Sequence, residues 1–178
     1  MKEIRLHGRG GQGVVSSAEL IVHAAIENGK FASCFPFFGF EKKGGPVAAF
    51  VRISEEKIRP KCEVYTPDCI IVVDPTIANS VNVFDGLKPG GLAFLNCEAP
   101  SAIGFPPGLK EYGWLDATAI SMEIFGRALP NTVMLGAFAA VSSWVDTDTL
   151  SRLATELWGP KNADAVRLGS ESVNLVKL

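Results

Sequence analysis

The chain has 178 residues, 47% of them hydrophobic and 20% charged, with a formal net charge of -2. That length suits one domain with a sizeable core, residues 1–178, and the composition is globular rather than disordered. A near-neutral chain lacks the clustered Lys and Arg that nucleic acid phosphates require, so nucleic acid is excluded as the main partner.

From the N-terminus, Glu3 to Leu6 reads as a short strand that runs into the glycine loop "HGRGGQG", His7 to Gly13. Val14, Val15, Ala18, Ile21, Val22 and Ala25 then recur at helical spacing, and Gly29 stands where a helix ends. Phe31 to Phe38 is predicted as a second strand with Pro36 marking an edge. Val47 to Ile53 follows without an intervening helix, which implies an antiparallel strand at the sheet edge. "CIIVVD", Cys69 to Asp74, is β-branched without alternation, as in the centre of a parallel sheet. Residues 77–87 read as a short helix, Leu92 to Leu95 as another buried strand, and 99–113 as a Pro- and Gly-rich surface loop.

Trp114 to Thr118 is predicted as the last strand, with a helix over Ile120 to Phe125. Pro130, Asn131 and Thr132 mark a helix start with Asn131 or Thr132 as N-cap, and Val133 to Val145 is apolar nearly all round. Gly136 suits a close backbone approach, Asp148 suits a cap for Thr149 to Trp158, and the tail from Ala163 reads as a docked helix. Strands alternating with helices give a Rossmann-like, doubly wound α/β fold of three αβα layers, mostly parallel with an antiparallel edge strand. Right-handed crossovers gather the strand ends on one side, and a ligand crevice is expected there, near Arg9, Asp74 with Thr76, Asn96 with Glu98, and Thr118.

Gly8-x-Gly10-x-x-Gly13 fits the G-x-G-x-x-G pattern between strand and helix. A dinucleotide site also needs an acid about 20 residues on, to hold the ribose hydroxyls. That stretch reads Ala32, Ser33, Cys34, Phe35 and Pro36, and the first acid, Glu41, falls in a loop. The loop is therefore read three ways: a packing turn, an anion site, or a docking element. Gln12, with an amide that both donates and accepts, is not needed for packing alone. Cys34, Cys62, Cys69 and Cys97 form no C-x-x-C pair, so neither a metal nor a cluster is expected on this chain. His7 precedes the loop and is a weaker candidate for the crevice, while His23, four residues after Glu19, reads as an ion-pair member. Five phenylalanines, Phe31, Phe35, Phe37, Phe38 and Phe40, lie beside Lys42, Lys43, Gly44 and Gly45, which suggests an exposed aromatic interface. No secretory or membrane-spanning segment is evident, and a cytoplasmic location is expected.

Four segments, in order, resemble the gamma subunit of the 2-oxoacid:ferredoxin oxidoreductase family. They are "HGRGGQGVVSSAELI" with its Gly-Gly-Gln-Gly, "FFGFEKKGGPVAAFVRIS", "CIIVVDP" and "LPNTVMLGAFAA". Lys43 stands where the family usually has the arginine of Arg-Gly-Gly, and Phe40 where it has proline. The resemblance implies a subunit of a complex that oxidatively decarboxylates a 2-oxoacid with coenzyme A, yielding acyl-CoA, carbon dioxide and reduced ferredoxin. It implies that thiamine diphosphate and iron–sulfur clusters belong to the alpha, beta and delta type subunits, and that this chain binds no cofactor alone. On that reading, Gly8, Arg9, Gly10, Gly11, Gln12, Gly13, Asp74, Asn131 and Thr132 form a ligand crevice. Phe37, Phe38, Phe40, Lys42, Lys43, Gly44 and Gly45 form a partner interface, and a homodimer is expected when the chain is isolated. The alternative from the residues alone is a free-standing nucleotide- or flavin-binding module.

Overall fold

The structure is a computed structural model that describes residues 1–38, 44–99, 105–106, 108–109 and 111–177, with Phe38 described in its backbone alone. Strand β1 (Lys2–Arg9) alternates, sending Ile4 and Leu6 into the main core while Arg5 and His7 go to the opposite face. Helix α1 (Val14–Glu27) follows the glycine loop, and its end is closed by Gly29 in the left-handed region at φ 77°. There the Gly29 and Lys30 amides donate to the Ile26 and Ala25 carbonyls, a paired closure that satisfies two of the helix's terminal carbonyls.

Strands β2 (Phe31–Phe38) and β3 (Pro46–Ser54) are antiparallel partners, and β3 also pairs antiparallel with β1. β4 (Cys69–Val72) and β5 (Leu92–Asn96) continue in parallel from the other side of β1. β6 (Glu111–Leu115) is parallel to β5 and is followed by α2 (Ala117–Phe125), α3 (Asn131–Ser142), α4 (Thr147–Trp158) and α5 (Lys161–Ser172). β7 (Asn174–Lys177) closes the sheet against β6 in antiparallel register. The seven strands lie in the order β2-β3-β1-β4-β5-β6-β7.

The α/β class with a mostly parallel sheet agrees with the sequence reading, and several details differ. β3 is not an edge strand: β2 lies outside it, and Pro36 sits on that edge, where a missing N–H costs no ladder bond. Glu111–Leu115 is not the last strand, because the chain after α5 returns as β7 rather than ending as a helix. Residues 77–87 hold no α-helix; a short 3₁₀ turn, Pro75–Asn79, begins there. Asp146 rather than Asp148 caps α4, accepting from the Thr149 amide at 2.8 Å. The cap position of α3 is occupied by Pro130, with Asn131 as the first helical residue.

The two sheet faces are covered differently. Ile4, Leu6, Ile71 and Phe94 pack under α1 and α3, against which α4 and α5 pack in turn. On the other face Ile70, Val72, Ala93 and Leu95 are covered by Ile77, Val83, Phe84 and Leu109 from the 3₁₀ turn and irregular chain, in place of the expected helical layer. Two buried arginines fasten that irregular layer. Arg5 donates to the carbonyls of Val64, Val83 and Asp85, while Arg52 pairs with Glu3 at 2.9 Å and donates to the carbonyls of Cys62 and Glu63. A guanidinium serves here because it presents five donors in a fixed fork.

The chain leaves β1 toward β2 and leaves β4 toward β5, so the connections diverge at the β1/β4 boundary. That divergence opens a crevice at the carboxyl ends of the strands, with the glycine loop on one side and Asp74 on the other.

Candidate functional site at the glycine loop

The loop can turn where it does because its glycines have no Cβ. A Cβ on Gly8 would stand 2.5 Å from Val14 Cγ2, and one on Gly13 would stand 2.6 Å from Asn131 Nδ2. Gly11 and Gly13 adopt φ of 95° and 75°, the left-handed region that other residues avoid. Gly10 is held to the β3 side, its amide donating to the Gly45 carbonyl at 3.0 Å.

A hydrogen-bonded network crosses the crevice. Gln12 Oε1 accepts from the Arg9 amide at 2.7 Å, and Gln12 Nε2 donates to Asp74 Oδ2 at 2.7 Å. The Thr76 hydroxyl and amide donate to Asp74 Oδ1 at 2.6 and 2.9 Å. The Arg9 guanidinium donates to Thr76 Oγ1 at 2.9 Å and to the Gly44 carbonyl at 3.3 Å, and it stands 3.5 Å from Asp74 Oδ2. Partial burial opposes ionisation of Asp74, but the bonds from Thr76 and Gln12 and the charge of Arg9 outweigh it and hold the carboxyl below its ordinary range. Asp74 is thus a fully engaged anion whose charge is spent within the loop network.

On its other flank the loop opens into a cleft of about 370 Å³. Gly11, Gly13 and Ser16 line it together with Phe125, Arg127, Asn131 and Trp158. Helix α1 begins without a capping side chain and without an acid in its first turn. Its first amides therefore have no intrahelical acceptor, and the positive end of the helix dipole points at the same place. Successive loop amides around left-handed glycines make an anion-binding concavity. Asn131, 9% exposed and lining this cleft, makes no side-chain hydrogen bond among the described residues.

The structure therefore brings Gly8, Arg9, Gly10, Gly11, Gln12, Gly13, Asp74 and Asn131 together. Thr132 turns away: it is buried, and its hydroxyl donates to Asn162 Oδ1 at 3.1 Å between α3 and α5. Asn96 lies further along the crevice, its amide donating to the Val73 carbonyl at 2.8 Å and the Thr118 hydroxyl at 2.9 Å. Arg127, Ser16 and Trp158 were not singled out from sequence. Arg127 could have been found as a cation just ahead of the Pro-Asn helix start, whereas Trp158 arrives only through the packing of α4. His7 is buried beneath the crevice, where its Nε2 accepts from Arg5 at 3.0 Å. Burial, with the Arg5 charge adding to it, lowers the imidazole pKa to about 3.

A dinucleotide is disfavoured by geometry as well as by composition. β3 intervenes between β1 and β2, and β2 ends in Phe37 and Phe38 where a ribose-binding acid would have to stand. Among the described residues no group of three or more His, Cys, Asp and Glu side chains is arranged to hold a metal.

Of the expected interface, Phe37 is 46% exposed on β2, next to Phe35 at 39% and Phe31 at 50%. Gly44 and Gly45 form the base of the β2–β3 connection and bond to the glycine loop through Arg9 and Gly10. Phe40, Lys42 and Lys43 lie outside the described residues, as does the side chain of Phe38.

Residues 3–172 match the family described as pyruvate ferredoxin/flavodoxin oxidoreductase. The chain belongs to this family. It is 45% identical over 177 residues to the pyruvate synthase subunit PorC of Methanothermobacter marburgensis, covering 97% of this chain and 98% of that one. The crystal structure of pyruvate oxidoreductase subunit PORC from Thermotoga maritima superposes with a TM-score of 0.87 at 31% identity, covering 99% of this chain and 98% of that chain. A 2-oxoglutarate:ferredoxin oxidoreductase from Magnetococcus marinus, solved with 2-oxoglutarate, coenzyme A and succinyl-CoA bound, shares the fold. Its TM-score is 0.73 at 24% identity, with 96% of this chain matching 29% of that larger one. Members of the oxidoreductase family named as subunits work in multisubunit complexes, so other subunits are partners of this chain.

Proposed function

We propose that this chain is the gamma subunit of a 2-oxoacid:ferredoxin oxidoreductase acting on pyruvate or a close 2-oxoacid, and that it supplies the phosphate-binding part of the coenzyme A site. The observation that carries the second half is the uncapped N-terminus of α1, with its free amides, beside Arg127 and the unpartnered Asn131 in one cleft. A phosphate fits the amides and dipole, and Arg127 adds charge. Phe125 and Trp158 offer aromatic surface on which an adenine or the pantetheine arm can lie. That a relative of the same fold was solved with coenzyme A supports this choice of anion. Thiamine diphosphate and clusters are assigned to the alpha, beta and delta type subunits, where they supply decarboxylation and electron transfer to ferredoxin. This chain alone is inert, and its part is to complete the assembly and to hold the acyl acceptor.

The exposed row Phe31, Phe35 and Phe37 is assigned to subunit docking, and it is the surface through which the isolated chain would pair with a second copy. The free-standing nucleotide- or flavin-binding reading is set aside, since β2 carries no acid for a ribose among the described residues and the family is one of complexes.

The test is a titration of the purified chain with coenzyme A, read by amide shifts at Gly11, Gly13 and Ser16 and by Trp158 fluorescence. Saturable shifts are expected there, and Arg127→Ala should weaken binding roughly tenfold, the worth of one charge-assisted bond to phosphate. No shift at millimolar coenzyme A in both the free chain and the assembled complex would contradict the assignment.

A further inference from the structure

A loop with four glycines among six residues can adopt many shapes, and a phosphate cradle needs one of them. Only Arg9 and Gln12 break the glycine run of Gly8 to Gly13, and both side chains fold inward. Gln12 does two things at once. Its carbonyl oxygen closes the loop on its own start by accepting the Arg9 amide, and its NH₂ group fastens the loop to Asp74 at the end of the neighbouring strand. Asp74 is in turn fixed by Thr76, so the far end of the clamp does not move.

We propose that Gln12 is a positioning residue for the acyl acceptor: its bridge between the Arg9 amide and Asp74 presets the loop so that the Gly11 to Ser16 amides face the cleft. The proposal rests on the reading that this cleft takes a phosphate of coenzyme A. The side chain must be an amide. A carboxylate of the same length could still accept from the Arg9 amide, but it could not donate to Asp74, and two carboxylates at that distance repel. The same bridge withdraws Asp74 from the ligand, since a free carboxylate next to the cradle would repel a phosphate.

The experiment uses the complete complex and steady-state rates with coenzyme A and the 2-oxoacid varied in turn. Gln12→Glu should raise KM for coenzyme A roughly tenfold, the loss of one bond plus a repulsion, while kcat and KM for the 2-oxoacid stay unchanged. The double variant Gln12→Glu with Asp74→Asn should recover most of the loss. It reverses the direction of the hydrogen bond, with the amide at 74 donating to the carboxylate at 12, and still accepts from Thr76. Thermal unfolding of each variant separates this effect from a loss of fold. Normal coenzyme A saturation with Gln12→Glu unchanged overturns the clamp alone. Failure of a stably folded double variant to recover also overturns it. A wild-type complex whose rate does not depend on coenzyme A overturns the phosphate reading and the clamp with it.

Discussion

His7 stood out in the sequence for its place beside the loop, and in the structure it is a buried, neutral partner of Arg5 rather than a ligand group. Burial and the Arg5 charge hold its pKa at about 3, well below that of an unfolded histidine. Between those two values the unfolded chain binds a proton that the folded chain does not. Stability is therefore full above the unfolded value and falls as pH drops through the window, by at most about 1.4 kcal/mol per unit. His7→Gln keeps an acceptor for Arg5 and cannot titrate. It should flatten the stability curve between pH 6 and pH 4 in thermal melts, and a curve as steep as that of the unaltered chain would assign the acid sensitivity elsewhere.

At the scale of elements, the α3–α5 pair sets the helical layer, and it depends on two glycines facing the partner backbone. A Cβ on Gly136 would lie 2.0 Å from the Val166 carbonyl oxygen, and one on Gly169 would lie 1.9 Å from that of Val133. Gly136→Ala has no flexible side chain to push aside and should cost at least about 1–3 kcal/mol as the helices separate, which denaturant unfolding would measure. A melt within error of the original would mean that the helices yield more easily than close packing allows. The sequence exposed this contact because an isolated glycine in an apolar helix has few other uses. It also exposed β1, β2, β4 and β5, where apolar runs end at turn residues. It was misleading at β3, because no local feature says which of two antiparallel strands takes the edge. β7 was hidden by a four-residue length and by exposure on most of its positions, which leaves no apolar period to detect. Caps slipped because Asp146 and Asp148 both lie at the start of the same helix, and only the backbone turn makes Asp146 the cap and puts Asp148 in the first turn.

For the whole molecule, the account places ligand chemistry at the carboxyl edge and partner contact on the β2 face, joined through Arg9 and the Gly44–Gly45 turn. The loop and Asp74 were legible because G-x-G-x-x-G and a strand-end acid are local signals. Arg127 and Trp158 were not, since Arg127 reaches the cleft from the turn between α2 and α3 and Trp158 from the end of α4, both far along the chain. Phe31→Ser with Phe37→Ser removes two half-exposed rings and leaves Phe35 stacked on the buried Phe50, so thermal stability should hold while recovery of partner subunits falls. Equal recovery would move the docking surface to another face. The central claim, a gamma subunit that completes a coenzyme A-dependent complex, is tested most directly by anaerobic purification of the tagged chain from the cells that make it. The eluate is then assayed for coenzyme A-dependent oxidation of several 2-oxoacids with a low-potential dye. The account predicts thiamine- and cluster-bearing subunits in the eluate together with that activity. A lone chain carrying a bound nucleotide, with no such activity, would contradict it.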